Sequence, residues 1–186
     1  PFWLAARFGV PEIMYQLAEL GANPLAMHHP TYWPGSLGVT EDRRIIEEGP
    51  TTALMAAAGL GGRPPLVAVD RLDRIAESAP VRSTRREPDT VEQERATLRA
   101  ATLAVELGID VNVANADGDT ALHSVARLGY DAVVEYLVRQ GARIDATNEA
   151  GLTPIDVARR DVAESKDASS DRQSTVDLLR RLGARE

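Results

Sequence analysis

The apolar positions between Thr120 and Gly141 fall into two short helical stripes. Val125 and Ala126 stand three and four residues after Leu122, which puts the three on one helix face. Val133, Val134, Leu137 and Val138 form a second stripe of the same kind. Thr120 precedes the first helix, where its hydroxyl can cap free N–H groups. Gly129 ends that helix, where a left-handed residue is wanted. Asp131 starts the second, since negative charge suits a helix N-terminus, and Gly141 closes it. The stretch IDATNEAG then reads as an extended finger that turns back toward the next Thr. The small residues Ala121 and Ala126 let neighbouring units approach closely. One such unit cannot bury its own apolar face, so stacking must supply the core.

The unit recurs. Gly118 and Gly151 are 33 apart (151 − 118), as are Thr120 and Thr153, and VNVANADGDT answers to IDATNEAGLT. Ala121 lies 8 before Gly129 and 20 before Gly141, and Pro1 lies 8 before Gly9 and 20 before Gly21. PFWLAARFGVPEIMYQLAELGA is therefore the same unit, cut at its second motif residue, which implies a missing upstream portion. Ala53 lies 8 before Gly61, so TALMAAAGLG opens another copy, whose closing glycine is Gly108. With this period, TALHSVA, EYLVRQGA and TPIDVA resemble the ankyrin-repeat family. The resemblance implies an all-α ankyrin-repeat solenoid, a single domain over 1–186 with repeats at about 1–23, 50–112, 118–145 and 151–186.

Three insertions, about 26–48, 62–89 and 161–171, interrupt it. The first lengthens the finger after repeat one by about 19 residues, since Gly21 to Thr52 is 31 where Gly141 to Thr153 is 12. Its Pro and Gly punctuation predicts an irregular loop. It carries His28, His29, Tyr32 and Trp33, among the few aromatics and histidines of the chain. Aromatics on a loop favour partner contact, or else Trp33 pins the loop onto the stack. The second separates the helices of repeat two: PPLVAVDRLDRIAESA could hold a short helix, and PVRSTRREPD, around 81–88, looks mobile. Thr90 with Gln93 forms a plausible capping box for a long helix to about Leu107. The third is polar and reads as a loop before the last helix, where Arg180 and Arg181 face outward as in a terminal cap.

Composition narrows the function. At 44% hydrophobic the chain can bury a core, while 4% aromatic suits closely packed small helices. A net charge of −7 argues against nucleic acid, which needs a basic footprint. The absence of Cys excludes disulfides and thiolate chemistry. No apolar run approaches the roughly 20 residues of a membrane helix. The basic charge is nearly all Arg, and the chain is similar to repeat proteins of high-GC bacteria, some exported and some cytoplasmic. It is expected to be soluble and, as a fragment, monomeric.

A search for reactive constellations leaves nothing that points to an enzyme. His28 and His29 are adjacent and lack metal-ligand spacing. His123 occupies the motif histidine position, and the resemblance implies a structural role there, bonding backbone and Thr near the turn. Glu47 with Glu48, and Asp117 with Asp119, fall at exposed turns. AAAGLGGRP matches no phosphate loop, and DGD at 117–119 lacks the downstream ligands of a calcium site. No cofactor, metal or catalytic residue is expected. The resemblance implies a scaffold or adaptor that binds a protein on its concave face. By matching positions the candidates are Arg7 and Phe8, then Ser124, Arg127 and Leu128, and the finger tips Asn115, Asp117, Asn148 and Glu149, joined by Tyr32 and Trp33 of the insertion. Phe8 and Leu128 could instead pack between repeats. The alternative function is a regulatory or targeting segment of a larger enzyme whose catalytic part lies outside the chain.

Overall fold

The computed structural model describes residues 1–29, 31–32, 46–47, 50–60, 90–164 and 170–184. The described residues form four helix pairs. They are α1 (Phe2–Arg7) with α2 (Pro11–Glu19), α3 (Ala53–Ala57) with α4 (Thr90–Glu106), α5 (Ala121–Leu128) with α6 (Asp131–Arg139), and α7 (Pro154–Glu164) with α8 (Ser170–Arg181). First helices stack on first helices and second on second, so the fold is a two-layer all-α solenoid. Among the described residues no helix is long and apolar enough to cross a membrane.

The core follows the sequence pattern. Leu122, Val125, Ala126, Val133, Val134 and Leu137 are all fully buried, and Val138 is half-buried against them. Repeat two fills the places of Val133, Val134 and Leu137, 33 residues earlier, with Ala100, Ala101 and Ala104, all buried. Helix ends repeat one device. The residue after a left-handed glycine donates its N–H to the carbonyl five residues back, as in Val10 to Ala5, Leu60 to Met55, Tyr130 to Val125 and Ala184 to Leu179.

Three expectations change. Helix α3 has 5 residues against 8 in α5 and turns at Gly59, two before the Gly61 that spacing indicated. The early turn lets Leu60 bury its side chain while its N–H reaches Met55 O at 2.8 Å. The first insertion is not wholly irregular. Strand β1 (Thr31–Tyr32) pairs antiparallel with β2 (Ile46–Glu47), and His28 and Thr51 exchange backbone hydrogen bonds of 2.9 and 2.7 Å at its base. The third insertion is partly helical, since α7 continues through Glu164 and α8 begins at Ser170. The short helix expected within 64–79 and the mobile stretch at 81–88 lie outside the described residues.

Helix α4 has 17 residues where α6 has 9, and its extra N-terminal turns tie neighbouring repeats together. The carboxylate of Glu94 accepts from the N–H of Ala132 at 2.8 Å, in the first turn of α6, where negative charge is favoured. Tyr130 Oη donates to Gln93 Oε1 at 3.2 Å. One step further along the stack, Asp131 accepts from the hydroxyls of Ser174 and Thr175 on α8.

Candidate partner-binding face

In repeats one and three a ring near the start of the first helix reaches across to the beginning of the next repeat. In repeat three that ring belongs to His123. Its Nδ1 accepts from Thr120 N–H at 3.2 Å, which leaves Nε2 protonated to donate to the carbonyl of Leu152, also at 3.2 Å. The ring thus caps its own helix and holds the start of the next repeat, the structural role expected of it. Burial pushes its pKa below the ordinary 6.5, against opposing pulls from the Leu152 carbonyl and the Asp119 charge. In repeat four Asp156 takes this place. Its carboxylate accepts from the hydroxyl and the N–H of Thr153 at 2.6 and 3.0 Å, and these bonds hold its pKa below 3.8.

In repeat one the place belongs to Trp3, 120 before His123. Trp3 Nε1 donates to Thr51 Oγ1 at 3.0 Å, and Thr51 Oγ1 donates to His28 O at 3.2 Å. Thr51 directly precedes the cap residue Thr52, as Leu152 precedes Thr153. The two aromatic rings therefore make equivalent inter-repeat bonds, His123 to a backbone carbonyl across a standard finger and Trp3 to a side-chain hydroxyl across the long insertion. The Trp3 ring also lies against His28, with ring centroids 4.5 Å apart. The tryptophan that fastens the base of this insertion is Trp3. Trp33 lies outside the described residues, and of Tyr32 the structure describes the backbone, in β1.

The fingers that precede repeats three and four form one ridge. Asn115 Oδ1 accepts from the N–H groups of Asp117 and Asp119, and 33 residues on Asn148 Oδ1 accepts from Ala150 and Leu152. Asn148 Nδ2 donates to Asp119 Oδ1 at 2.8 Å, and Glu149 N–H donates to Asp117 O at 2.9 Å. Both asparagines are half-buried, so their side chains shape the fingers, while Asp117 and Glu149 stand exposed at the tips.

Among the first-helix candidates, Phe8 is 60% exposed and Leu128, at the same place in repeat three, is 41% exposed. Leu128 also leans on repeat two, where its Cδ1 lies 3.5 Å from the position of a Cβ added at Gly59. Packing between repeats and exposure thus coexist in this side chain. Arg127 is exposed. Arg7 is half-buried and donates to Leu60 O at 3.2 Å, tying repeat one to repeat two. Ser124 is not solvent-facing: it is 2% exposed, and its hydroxyl donates to Ala58 O at 2.6 Å. The internal register holds the reason, because Leu4, Ala56 and Val157 occupy that position in the other repeats and all are apolar. The same register adds a residue not singled out from sequence, Arg160, exposed and 33 after Arg127.

The Ankyrin repeat family profile matches residues 117–149. The chain is 48% identical over 50 residues to alpha-latroinsectotoxin-Lt1a of Latrodectus tredecimguttatus, covering 27% of this chain and 4% of that protein. It is 39% identical over 69 residues to ankyrin repeat domain-containing protein 63 of Homo sapiens, covering 35% and 18%. To ankyrin repeat and SOCS box protein 16 of Homo sapiens it is 38% identical over 66 residues, covering 36% and 15%. The matched repeat and the names of these relatives support an ankyrin-repeat family, and ankyrin repeats generally mediate protein–protein interaction. It spans less than a fifth of the length of these relatives. All three are animal proteins, so the expected kinship with bacterial repeat proteins finds no support.

Proposed function

We propose that this chain is a non-catalytic scaffold or adaptor that holds a protein partner on the face built by its first helices and fingers. One observation carries the reading. Phe8 and Leu128 occupy the same register position 120 residues apart, and both present large apolar side chains to solvent beside the ends of first helices. Leu60, at that position in repeat two, is buried by the early turn, so the apolar surface is stepped rather than continuous. Exposed apolar anchors with polar surroundings suit protein contact. Asp117 and Glu149 on the finger ridge and Arg127 beside Leu128 supply those surroundings. The partner segment that fits offers apolar side chains to Phe8 and Leu128 and a carboxylate to Arg127.

The test is quantitative capture of partners from the source cells by the chain, by its Phe8→Ala/Leu128→Ala variant and by Tyr15→Ala. Tyr15 is equally exposed but lies on α2, a second helix. The double variant is expected to melt within a few degrees of the parent and to lose the partner, whereas Tyr15→Ala keeps it. Retention by the double variant, or equal loss with Tyr15→Ala, overturns the reading.

A further inference from the structure

The outward faces of the second helices are not alike along the stack. One register position on them holds Tyr15, Thr102, Glu135 and Asp177 in the four repeats. In repeats three and four it is closed by an ion pair within its own helix, Glu135 with Arg139 at 2.6 Å and Asp177 with Arg180 at 3.1 Å. In repeats one and two it carries no charge. Tyr15 is 56% exposed, and Thr102 donates its hydroxyl to Leu98 O of its own helix at 2.8 Å. Between α2 and α4 lies a mainly apolar groove of about 630 Å³, whose lining includes Tyr15, Gln16, Leu98, Thr102, Leu103 and Glu106. Arg95 and Glu106 flank this stretch of α4, both exposed and about 16 Å apart along the helix. Neither enters an ion pair among the described residues. The pairs 95 with 106 and 98 with 103 centre on the same point of α4, between Ala100 and Ala101.

From this we infer that the outward face of α4 takes a second copy of this chain. A helix with apolar residues at its middle and opposite charges placed evenly to either side is self-complementary about a two-fold axis. The second copy lays its α4 antiparallel on this one. Leu98 of each copy then meets Leu103 of the other, and Arg95 of each meets Glu106 of the other. The two ion pairs fix the direction, since a parallel pairing would set like charges together at both sites. The chain then works as a dimer and not as the monomer that its sequence suggested. First helices form the other layer of the stack, so Phe8 and Leu128 stay uncovered in both copies, and the inference does not rest on what they bind.

The test is sedimentation velocity. At about 100 µM, a concentration suited to an interface of modest size, the chain is expected to run as a dimer. Arg95→Glu and Glu106→Arg, each alone, bring like charges together twice per dimer and are expected to weaken association about tenfold or more. Both fall on exposed positions and should leave the melting midpoint within about 2 °C. An equimolar mixture of the two variants is expected to restore the dimer, because one then carries only acid at the two sites and the other only base. A parent that stays monomeric, single variants that pair as the parent does, or a mixture that stays monomeric overturns the inference. So does a dimer abolished by Phe8→Ala with Leu128→Ala, which would place the second copy on the first-helix face.

Discussion

Repeats one and three share a backbone plan 120 residues apart but use it differently. Each places an aromatic ring at the same register position of its first helix and donates a ring N–H to the residue before the next cap, His123 to Leu152 and Trp3 to Thr51. His123 spans a standard finger. Trp3 spans one longer by about 19 residues, and its ring lies tilted against His28 at its base. A long insertion is tolerated because the bond that sets repeat spacing forms at its stem, and closure entropy grows only with the logarithm of loop length. The two repeats also differ in cover: Val133 and Leu137 are sealed on both sides, while Ile13 is open and Leu17 half-buried.

The largest expected effect tests that difference in cover. Leu137→Ala should destabilise the chain by ~2–5 kcal/mol, the range for a buried leucine truncation. Leu17→Ala, at the same position of repeat one, should cost about half as much or less, because part of its surface already meets water. Chemical denaturation of both variants checks this. Equal losses would mean that the two repeats are packed alike.

Next in size is a backbone effect confined to repeat three. Gly118 has φ +77, and a Cβ there would lie 2.8 Å from Glu149 N and 2.9 Å from Asn148 Cα in the adjacent finger. Gly118→Ala should cost about 1–3 kcal/mol, from left-handed strain and the clash together. Gly151, also left-handed, has nothing within 4 Å of such a Cβ, so Gly151→Ala should cost less. Thermal melts of the pair isolate the inter-finger contact, and identical shifts would show that strain alone acts.

Much of this was legible in the sequence because the repeat supplies its own alignment. The 33-residue offset located α5, α6 and the buried stripe, and the glycines marked most helix ends. It misled at Gly61, because Gly59 and Leu60 offer an earlier turn that buries a leucine. Ser124 was placed on the concave face by matching positions to the family, although Leu4, Ala56 and Val157 make its register position apolar in the other repeats. The role of Trp3 went unseen although it lies 120 before His123, since an indole does not look like an imidazole until the donated N–H is considered. The pairing inside the first insertion left no alternating apolar pattern long enough to reveal it.

A smaller loss is expected from Trp3→Phe, which keeps an aromatic ring but removes the donor to Thr51. Thr51 is fully buried, and its hydroxyl would retain only the bond to His28 O. The cost should be about 0.5–1.5 kcal/mol, the net worth of one hydrogen bond. The signature is local: amide exchange should quicken at His28 and Thr51, whose backbone bonds close the insertion, while Leu152 and Thr153 stay protected. Unchanged exchange at His28 would show that backbone pairing alone fastens the stem.

The smallest effect at neutral pH, and the one that most sharply separates the repeats, is protonation. His123 must stay neutral, because its Nδ1 accepts from Thr120 while Nε2 donates to Leu152. Burial lowers its folded pKa below the 6.5 of the unfolded chain, so between those values the unfolded state binds more protons. Its contribution to stability is therefore complete above pH 6.5 and is lost as pH falls through the lowered folded value. Asp156, at the same place in repeat four, is depressed below 3.8 by the Thr153 bonds, so its contribution persists at pH 5 and disappears only in stronger acid. Trp3 has no titrating group, and repeat one should show neither step. Urea unfolding from pH 8 to pH 5 should show stability declining with acidity. His123→Gln, whose amide can both accept and donate at a capping-box position, should flatten that part of the curve. Asp156→Asn should leave the slope in this window unchanged. A His123→Gln slope equal to that of the parent would mean that protons enter elsewhere and that the imidazole does not govern the acid sensitivity of repeat three.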